Sequence, residues 1–518
     1  MTIEINLRRV ITIALLALGA AIAAYAASNH ERTNGPTPAT LAVTTKSDAA
    51  REAYEMGMKD REDLLYIEQG LEYFRLAVKA DAHFALAHSA LAYFTTDPVE
   101  EKRELDLAVK NLAHASPDEK LLIKWLNGTK DGQLVPAIAA MNDLLAKYPN
   151  DKRLANLSAE WLCAGQQNWE RGEDVLQKVL KNDPAYYPAL NNLAYCYSLS
   201  GRTNLAPALM ERYVRLLPDQ PNPEDSYGEL LRMAGDYDGA ITHYRAALKI
   251  DAKFTTSQLG IASTLALMGD EAAARPEYLK AVEMTGDRAT KLNYRMLWAM
   301  TYYRENQAET ARKNFTELAA QARGADLAIQ EAEAHRTMAL FNTDSAAALT
   351  DVDAAEGTLS EKHVLGPEER DTELATIEQT RAFIAARANR MDAAEKALDT
   401  LKTLASASRN NLIQISYHSG NGAVLFLQGK YSDAISELQY DTRNPLSLAL
   451  LVDVQTKSGA IAEAHDTLVA LAAINDERVE TAVAVPWARA ALKTSADAAA
   501  AAQPAASAQY NGHRGGPL

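Results

Sequence analysis

The sequence predicts an all-α fold, a solenoid of stacked antiparallel helix pairs. Between Tyr187 and Pro218, apolar residues recur at helical spacing in two segments that Gly201 separates. Glycine ends the first helix because it adopts left-handed dihedrals at little cost, and Pro218 ends the second. Neither helix can bury its apolar face alone, so the same pattern has to recur along the chain.

The pattern recurs at a fixed period. Gly201 is followed by Gly235 and Gly269 at intervals of 34 residues, and the surrounding small and apolar residues shift with them. This helix–turn–helix period resembles the tetratricopeptide repeat (TPR) family. The segment FALAHSALA, from Phe84 to Ala92, is similar to the start of TPR regions in bacterial signalling proteins. The resemblance implies a right-handed superhelical solenoid of roughly ten helix pairs around a concave groove.

Residues 1–26 have the pattern of a signal peptide. Arg8 and Arg9 supply a positive start, an apolar run follows, and Ala24–Ala26 matches a small-x-small cleavage site. We expect cleavage after this site. A membrane anchor is the alternative, because the uncleaved apolar run is near the roughly 17–25 residues that a span needs.

Composition and period divide the rest of the chain. Residues 27–47 are rich in Thr and Pro without periodicity, which predicts a flexible linker. Residues 48–323 carry the regular repeats. The period loosens over residues 324–493, where we expect divergent TPR-like repeats and a terminal helix at 485–492 that caps the last one. Residues 494–518, rich in Ala, Pro and Gly, are expected to be a disordered tail.

Charge and motifs narrow the function. Lys+Arg 53 against Asp+Glu 68 leave a net charge of −15, which argues against a nucleic-acid-binding surface. The sequence has no G-x-S-x-G, H-E-x-x-H, phosphate-binding loop or C-x-x-C motif. Its ten histidines are scattered, with no two at zinc-binding spacing on a helix. We therefore expect no enzymatic activity, no cofactor and no metal site.

Two cysteines, Cys163 and Cys196, lie near equivalent positions in the first helices of adjacent repeats. We expect two buried thiols that act as small apolar side chains. The alternative is a disulfide, which an exported protein permits. It requires close Cα atoms, which adjacent parallel helices rarely provide.

The TPR resemblance also implies which residues face a ligand. In TPR superhelices the first helix of each pair lines the groove. The corresponding positions here are Leu157, Trp161, Asn191, Tyr195, Glu229, Arg232, Leu259, Ser263, Met296, Met300 and Tyr303. Aromatic, methionine and arginine side chains are typical of binding hot spots. The alternative is that Trp161 and Tyr195 only pack between repeats.

The sequence thus favours an exported scaffold, periplasmic in location, that binds a protein or peptide partner in its groove. Membrane contact is expected only if the N-terminal segment stays uncleaved. One alternative is an accessory factor in envelope polysaccharide export or wall assembly. Another is an enzyme with a site between non-equivalent repeats.

The signal peptide can be tested directly. In a bacterial host, the chain should be recovered outside the cytoplasm with Ala27 as its first residue, because signal peptidase cleaves after the small-x-small pattern. Cell fractionation followed by N-terminal sequencing measures both properties. Recovery of the full-length chain from the cytosol alone would contradict the prediction.

Overall fold

The computed structural model describes residues 40–63, 67–360 and 365–501. Over these ranges the chain forms 25 α-helices and no strand. The helices form twelve antiparallel pairs and a single final helix, which confirms the all-α, TPR-like solenoid. None of these helices is both long and apolar enough to cross a membrane. The predicted signal peptide lies outside the described residues.

First helices of the pairs carry odd numbers and second helices carry even numbers. Their bounds are α1 Asp48–Asp63, α2 Ile67–Ala80, α3 Ala85–Phe94, α4 Pro98–Lys110, α5 Pro117–Lys130, α6 Leu134–Lys147, α7 Lys152–Glu160, α8 Trp169–Asn182, α9 Tyr187–Leu199, α10 Pro207–Leu216, α11 Pro221–Ala234, α12 Tyr237–Ile250, α13 Thr255–Leu267, α14 Glu271–Met284, α15 Arg288–Arg304, α16 Ala308–Gly324, α17 Ala328–Leu340, α18 Ser345–Ser360, α19 Pro367–Arg387, α20 Met391–Ala407, α21 Asn411–Leu427, α22 Tyr431–Leu438, α23 Pro445–Ser458, α24 Ile461–Ala472 and the final helix α25 Val479–Ala501.

Local sequence signals set the helix ends. Ser116 caps α5: its side chain accepts the Glu119 amide (3.2 Å), and the Glu119 carboxylate accepts the Ser116 amide (2.7 Å). Each periodic glycine lies between the two helices of one pair. The φ angles of Gly201, Gly235 and Gly269 are left-handed, at 84°, 86° and 84°. The breaks predicted from the period are therefore confirmed.

Successive pairs pack closely through small residues. Ala206, Met210 and Tyr213 are at most 2% exposed, as their helical spacing predicts. Gly260 on α13 permits a close approach, because a Cβ atom there would overlap the ring of Tyr244 on α12. This interface therefore requires glycine at one position and an aromatic ring opposite it.

The solenoid turns far enough for its second half to contact its first half. The Gln166 carbonyl after α7 accepts a hydrogen bond from Asn411 Nδ2 at the start of α21 (2.8 Å). The Tyr237 hydroxyl donates to Asn475 Oδ1, ahead of α25 (2.7 Å). These partners are 245 and 238 residues apart, or about seven repeat lengths. We call this line of contacts the seam; in it Gln166 meets Asn411, and Tyr237 meets Asn475.

The cysteines form a disulfide, so the expectation of two free thiols is wrong. The Cα atoms of Cys163 and Cys196 are 5.6 Å apart. Cys163 lies in a π-helical turn, Trp161–Gly165, that follows α7. The prediction assumed two regular parallel helices, and this turn breaks that assumption. Gly172 leaves room for the bond, since a Cβ atom there would overlap the Cys163 Sγ atom.

The C-terminal end also differs from the prediction. The final helix α25 spans Val479–Ala501, longer than the expected helix at 485–492, and it includes part of the expected disordered tail. Alanine has the highest helix propensity, so the alanine-rich end extends the helix. The expected tail beyond Ala501 lies outside the described residues.

Two glycine substitutions test the helix packing. Gly260→Ala should lower the free energy of unfolding by about 1–3 kcal/mol, because the added methyl group overlaps the Tyr244 ring. Gly357→Ala on α18 is the matched control, since an added Cβ atom there meets no atom within 4 Å. The control should stabilise the chain by up to about 1 kcal/mol through helix propensity alone. Urea denaturation followed by circular dichroism measures both, and equal effects would contradict the packing.

Candidate functional site

The groove is the concave face formed by the first helices, and the structure brings four of the predicted residues together there. On α9 and α11, the Tyr195 hydroxyl donates to one oxygen of Glu229 (2.5 Å), and Arg232 Nη2 donates to the other (3.3 Å). The Glu229 side chain is 38% exposed. Asn191, one helical turn before Tyr195, is buried, and its Oδ1 atom has no hydrogen-bond partner among the described residues.

Arg232 is buried and paired rather than open to a ligand. Its side chain is 3% exposed, its Nη1 atom lies 2.9 Å from Glu477, and its Nε atom donates to the Tyr244 hydroxyl (3.3 Å). Burial lowers the pKa of Arg232, but Glu477, Tyr244 and Glu229 together outweigh burial and hold it well above the usual value. Arg232 is therefore a fixed charge that orients Glu229.

Asp225 lies one helical turn before Glu229 on the same helix. Its carboxylate accepts hydrogen bonds from the Ser257 hydroxyl (2.5 Å) and the Thr256 hydroxyl (3.1 Å) of α13. Burial, with a contribution from Glu229, raises the pKa of Asp225 to about 7. A carboxyl group in this part of the groove thus changes charge near neutral pH.

The predicted residues of α15 lie in the apolar core. Met296, Met300 and Tyr303 are all less than 9% exposed. The Tyr303 ring stacks on Phe341 with 4.3 Å between ring centroids. Val479, at the start of α25, belongs to the same apolar cluster. The sequence predicted that these side chains face a ligand, because the pattern within their own repeat does not show that the C-terminal part of the chain covers them.

The other predicted positions also pack against the chain itself. Leu157 is buried and Trp161 is half-buried against the apolar cluster of the first repeats. Leu259 is partly buried against α13–α14 neighbours. Ser263 is buried and accepts a hydrogen bond from the Tyr278 hydroxyl (3.3 Å). Contact between any of these residues and a partner stays a prediction.

Residues 40–47, which form neither helix nor strand, lie against the starts of the first helices α5 and α7; we call this stretch the N-terminal segment. The Leu41 amide donates to Asp151 (2.8 Å) and the Thr44 amide to Glu119 (2.6 Å). Leu41 and Val43 pack on the apolar cluster of these repeats. This part of the expected flexible linker is therefore held in place, while residues 27–39 lie outside the described residues.

Residues 475–482, the C-terminal segment, cover the groove at α11, α15 and α17. Glu477 pairs with Arg232 of α11, and Glu480 forms a buried ion pair with Arg336 of α17. Val479 packs beside Met296 of α15. The side chains of α9 thus lie between two parts of the groove that the chain itself occupies.

Sequence reasoning missed Glu119 and Asp151, which hold the N-terminal segment. Both are at most 5% exposed and both also bond to the start of their own first helix. Because both residues lie at helix starts, the sequence predicts only a capping role for them. Their bonds to the N-terminal segment cannot be recognised from that pattern. No three His, Cys, Asp or Glu side chains converge as a possible metal site in the part of the chain that the structure describes.

Comparison with known proteins shows relatives that match over part of the chain. No family model matches. The TPR repeat-containing protein YpiA of Bacillus subtilis (strain 168) is 25% identical over 189 residues, which is 36% of this chain and 44% of that protein. The chain therefore matches less than half the length of this relative. It resembles TPR proteins in sequence over those residues and in its array of helix pairs.

Solved structures with a similar arrangement have lower identity. The human IFIT1 dimer with m7Gppp-AAAA is 15% identical, with a TM-score of 0.38 over 84% of this chain and 96% of that one. The APC/C hetero-tetramer Cut9–Hcn1 is 16% identical, with a TM-score of 0.39 over 80% of this chain and 76% of that one.

The raised pKa of Asp225 predicts a pH effect on stability. The folded-state pKa of about 7 lies above the ordinary value of 3.8, so this group stabilises fully below about pH 4 and its contribution is lost as pH rises through about 7. Asp225→Asn should remove that loss and be more stable than the native chain at about pH 8, by about 1–3 kcal/mol. Urea denaturation at several pH values measures it.

The control for this prediction is Asp174→Asn, an exposed acid on α8. It should leave the pH profile of the free energy of unfolding unchanged. A native-like pH profile for Asp225→Asn would show that Asp225 titrates normally and that the buried hydrogen-bonded arrangement is incorrect.

Proposed function

We propose that the chain is an exported scaffold whose groove binds an extended segment of a protein partner. The observation that carries this proposal is the N-terminal segment, a non-helical stretch of polypeptide held through its own backbone amides by Asp151 and Glu119. Hydrogen bonds that backbone amides donate to carboxylates do not depend on the side chains of the bound segment. A groove with this chemistry is suited to other extended segments.

The partner site that we infer is the wall formed by Trp161, Asn191, Tyr195 and Glu229. Asn191 and Tyr195 lie on α9, between the first helices that bond the two segments; Glu229 lies on α11, and Trp161 lies after α7 near the seam. Glu229 is part-exposed, so its carboxylate can accept amides of an extended ligand. The buried Asn191 Oδ1 atom, which has no partner among the described residues, lies one helical turn before Tyr195. The Tyr195–Glu229 hydrogen bond joins two neighbouring first helices, which holds the wall rigid before a ligand arrives.

Most of the other predicted residues are buried within the chain. Arg232 bonds Glu229 and fixes its orientation. Leu157, Met296, Met300 and Tyr303 are buried and give the first helices a rigid base. Rigid support of this kind lowers the entropic cost of binding.

Export is the second part of the proposal. It rests on the signal-peptide pattern of residues 1–26. The disulfide between Cys163 and Cys196 supports it, because disulfides form and persist in oxidising compartments. The partner is then a protein of the cell envelope, and the periplasm is the proposed location.

Variants of the wall test this function. Trp161→Ala and Tyr195→Ala should each weaken partner binding by about tenfold or more, because aromatic anchors commonly contribute about 2 kcal/mol when truncated. Tyr195→Phe removes only the hydroxyl that donates to Glu229 and should have a smaller effect. Envelope proteins captured by the native chain are identified by mass spectrometry, and peptides of the captured partner are then titrated by fluorescence anisotropy.

The matched control is Lys178→Ala, an exposed residue on the second helix α8. It should bind the partner normally. Each variant must keep the native helical circular dichroism. Normal peptide binding by folded Trp161→Ala and Tyr195→Ala would place the site elsewhere, and so would an equal loss in Lys178→Ala.

A further inference from the structure

We propose that a cavity at the seam binds a singly charged organic anion, a carboxylate with an apolar body. The cavity has a volume of about 490 Å³, within the range of small-molecule sites. Ser198 and Gly201, at the end of α9, line one side, and Thr442 and Asn475, from the second half of the chain, line the other. The site is separate from the groove wall proposed to bind a protein partner.

Arg443 supplies the positive end of the cavity. Its guanidinium carbon lies 5.3 Å from the centre of the Trp169 ring, and its buried Nη1 atom has no hydrogen-bond partner within the described ranges. The nearby carboxylates are already engaged. Asp476 bonds to Arg478, and Asp441 accepts hydrogen bonds from a buried glutamine and two buried serines.

The charge around the cavity favours an anionic ligand. Burial, and then the neighbouring Arg478 cation, lower the pKa of Arg443 to about 10, against the opposing effect of the Asp476 and Asp441 carboxylates. The charged residues that line the cavity are Arg443, Arg478 and Asp476, which leave a net charge of +1 in a chain of net charge −15. One free guanidinium with its planar pair of donors matches one carboxylate.

The rest of the wall defines the body of the ligand. Ser198 is 4% exposed, and its Oγ atom has no partner among the described residues, so it is a second buried polar group available to a ligand. The remaining surface is largely apolar, formed by Leu199, Met233, Leu448, Ala470 and Ile474. This surface suits a hydrocarbon or aromatic group attached to the carboxylate.

Benzoate and benzamide test the charge requirement on the full mature chain. They have nearly the same shape, but only benzoate carries the anion. Isothermal titration calorimetry should give an affinity for benzoate about tenfold or more above that for benzamide, because bonds to a charged group are stronger than neutral ones. Equal affinities, or no benzoate binding, would overturn the proposal.

Two substitutions locate the charge. Arg443→Gln should reduce benzoate affinity about tenfold, to the level of benzamide. Arg443→Lys keeps the charge but loses the planar pair of donors, so the preference for benzoate should remain at a lower affinity. The control is Arg409→Gln, an exposed arginine at the neighbouring part of the seam outside this cavity, and it should bind benzoate normally. Unchanged binding in folded Arg443→Gln would overturn the assignment.

The carboxylate has two natural sources, a free small molecule or the C-terminus of a polypeptide. A hexapeptide ending in phenylalanine, with a free or an amidated C-terminus, distinguishes them. Binding of the free-acid peptide more tightly than benzoate supports the site with a polypeptide source, and weaker binding supports it with a small-molecule source. Equal binding of the free-acid and amidated peptides would count against a carboxylate site.

Discussion

The burial of each helix pair against the next is the interaction on which the whole structure depends. No single pair can cover its own apolar face, so each pair depends on the pairs beside it. The fit at each interface is close, as the contact between Gly260 and the Tyr244 ring shows. A similar fit from pair to pair adds a similar rotation each time, and the rotations accumulate into a superhelix.

The accumulated rotation explains why distant parts of the chain meet. After about seven repeat lengths, the loops of the second half reach the turns of the first half and form the seam, where Tyr237 bonds Asn475. An ordinary solenoid has only nearest-neighbour contacts. Here a buried arginine, Arg232, depends on Glu477 from 245 residues further along the chain for its partner. Closure of the superhelix thus supplies a partner for Arg232, the charge that orients Glu229.

The sequence was sufficient for features that depend on neighbouring residues. The helix pairs and the breaks at Gly201 and Gly235 follow from spacing within one repeat. Features that depend on distant residues were missed. The C-terminal segment buries Met296, and the N-terminal segment fills the groove near Asp151; no local pattern records either contact. The disulfide was missed because a π-helical turn, which helical periodicity does not reveal, carries Cys163.

The two segments that occupy the groove differ in how firmly they are held, and this difference bears on partner binding. Two amide–carboxylate bonds hold the N-terminal segment, each worth about 1.5–3 kcal/mol.

Ordering the eight residues of the N-terminal segment costs about 1–2 kcal/mol per residue. That cost exceeds what these two bonds contribute, so the packing of Leu41 and Val43 on the apolar cluster has to supply much of the difference. The C-terminal segment instead holds Glu480 against buried Arg336, and loss of one partner of a buried pair costs about 3–5 kcal/mol. A segment that competes for the carboxylates of Asp151 and Glu119 should therefore displace residues 40–47 more readily than residues 475–482. Removal of residues 475–482 would take one acidic partner each from the buried Arg232 and Arg336.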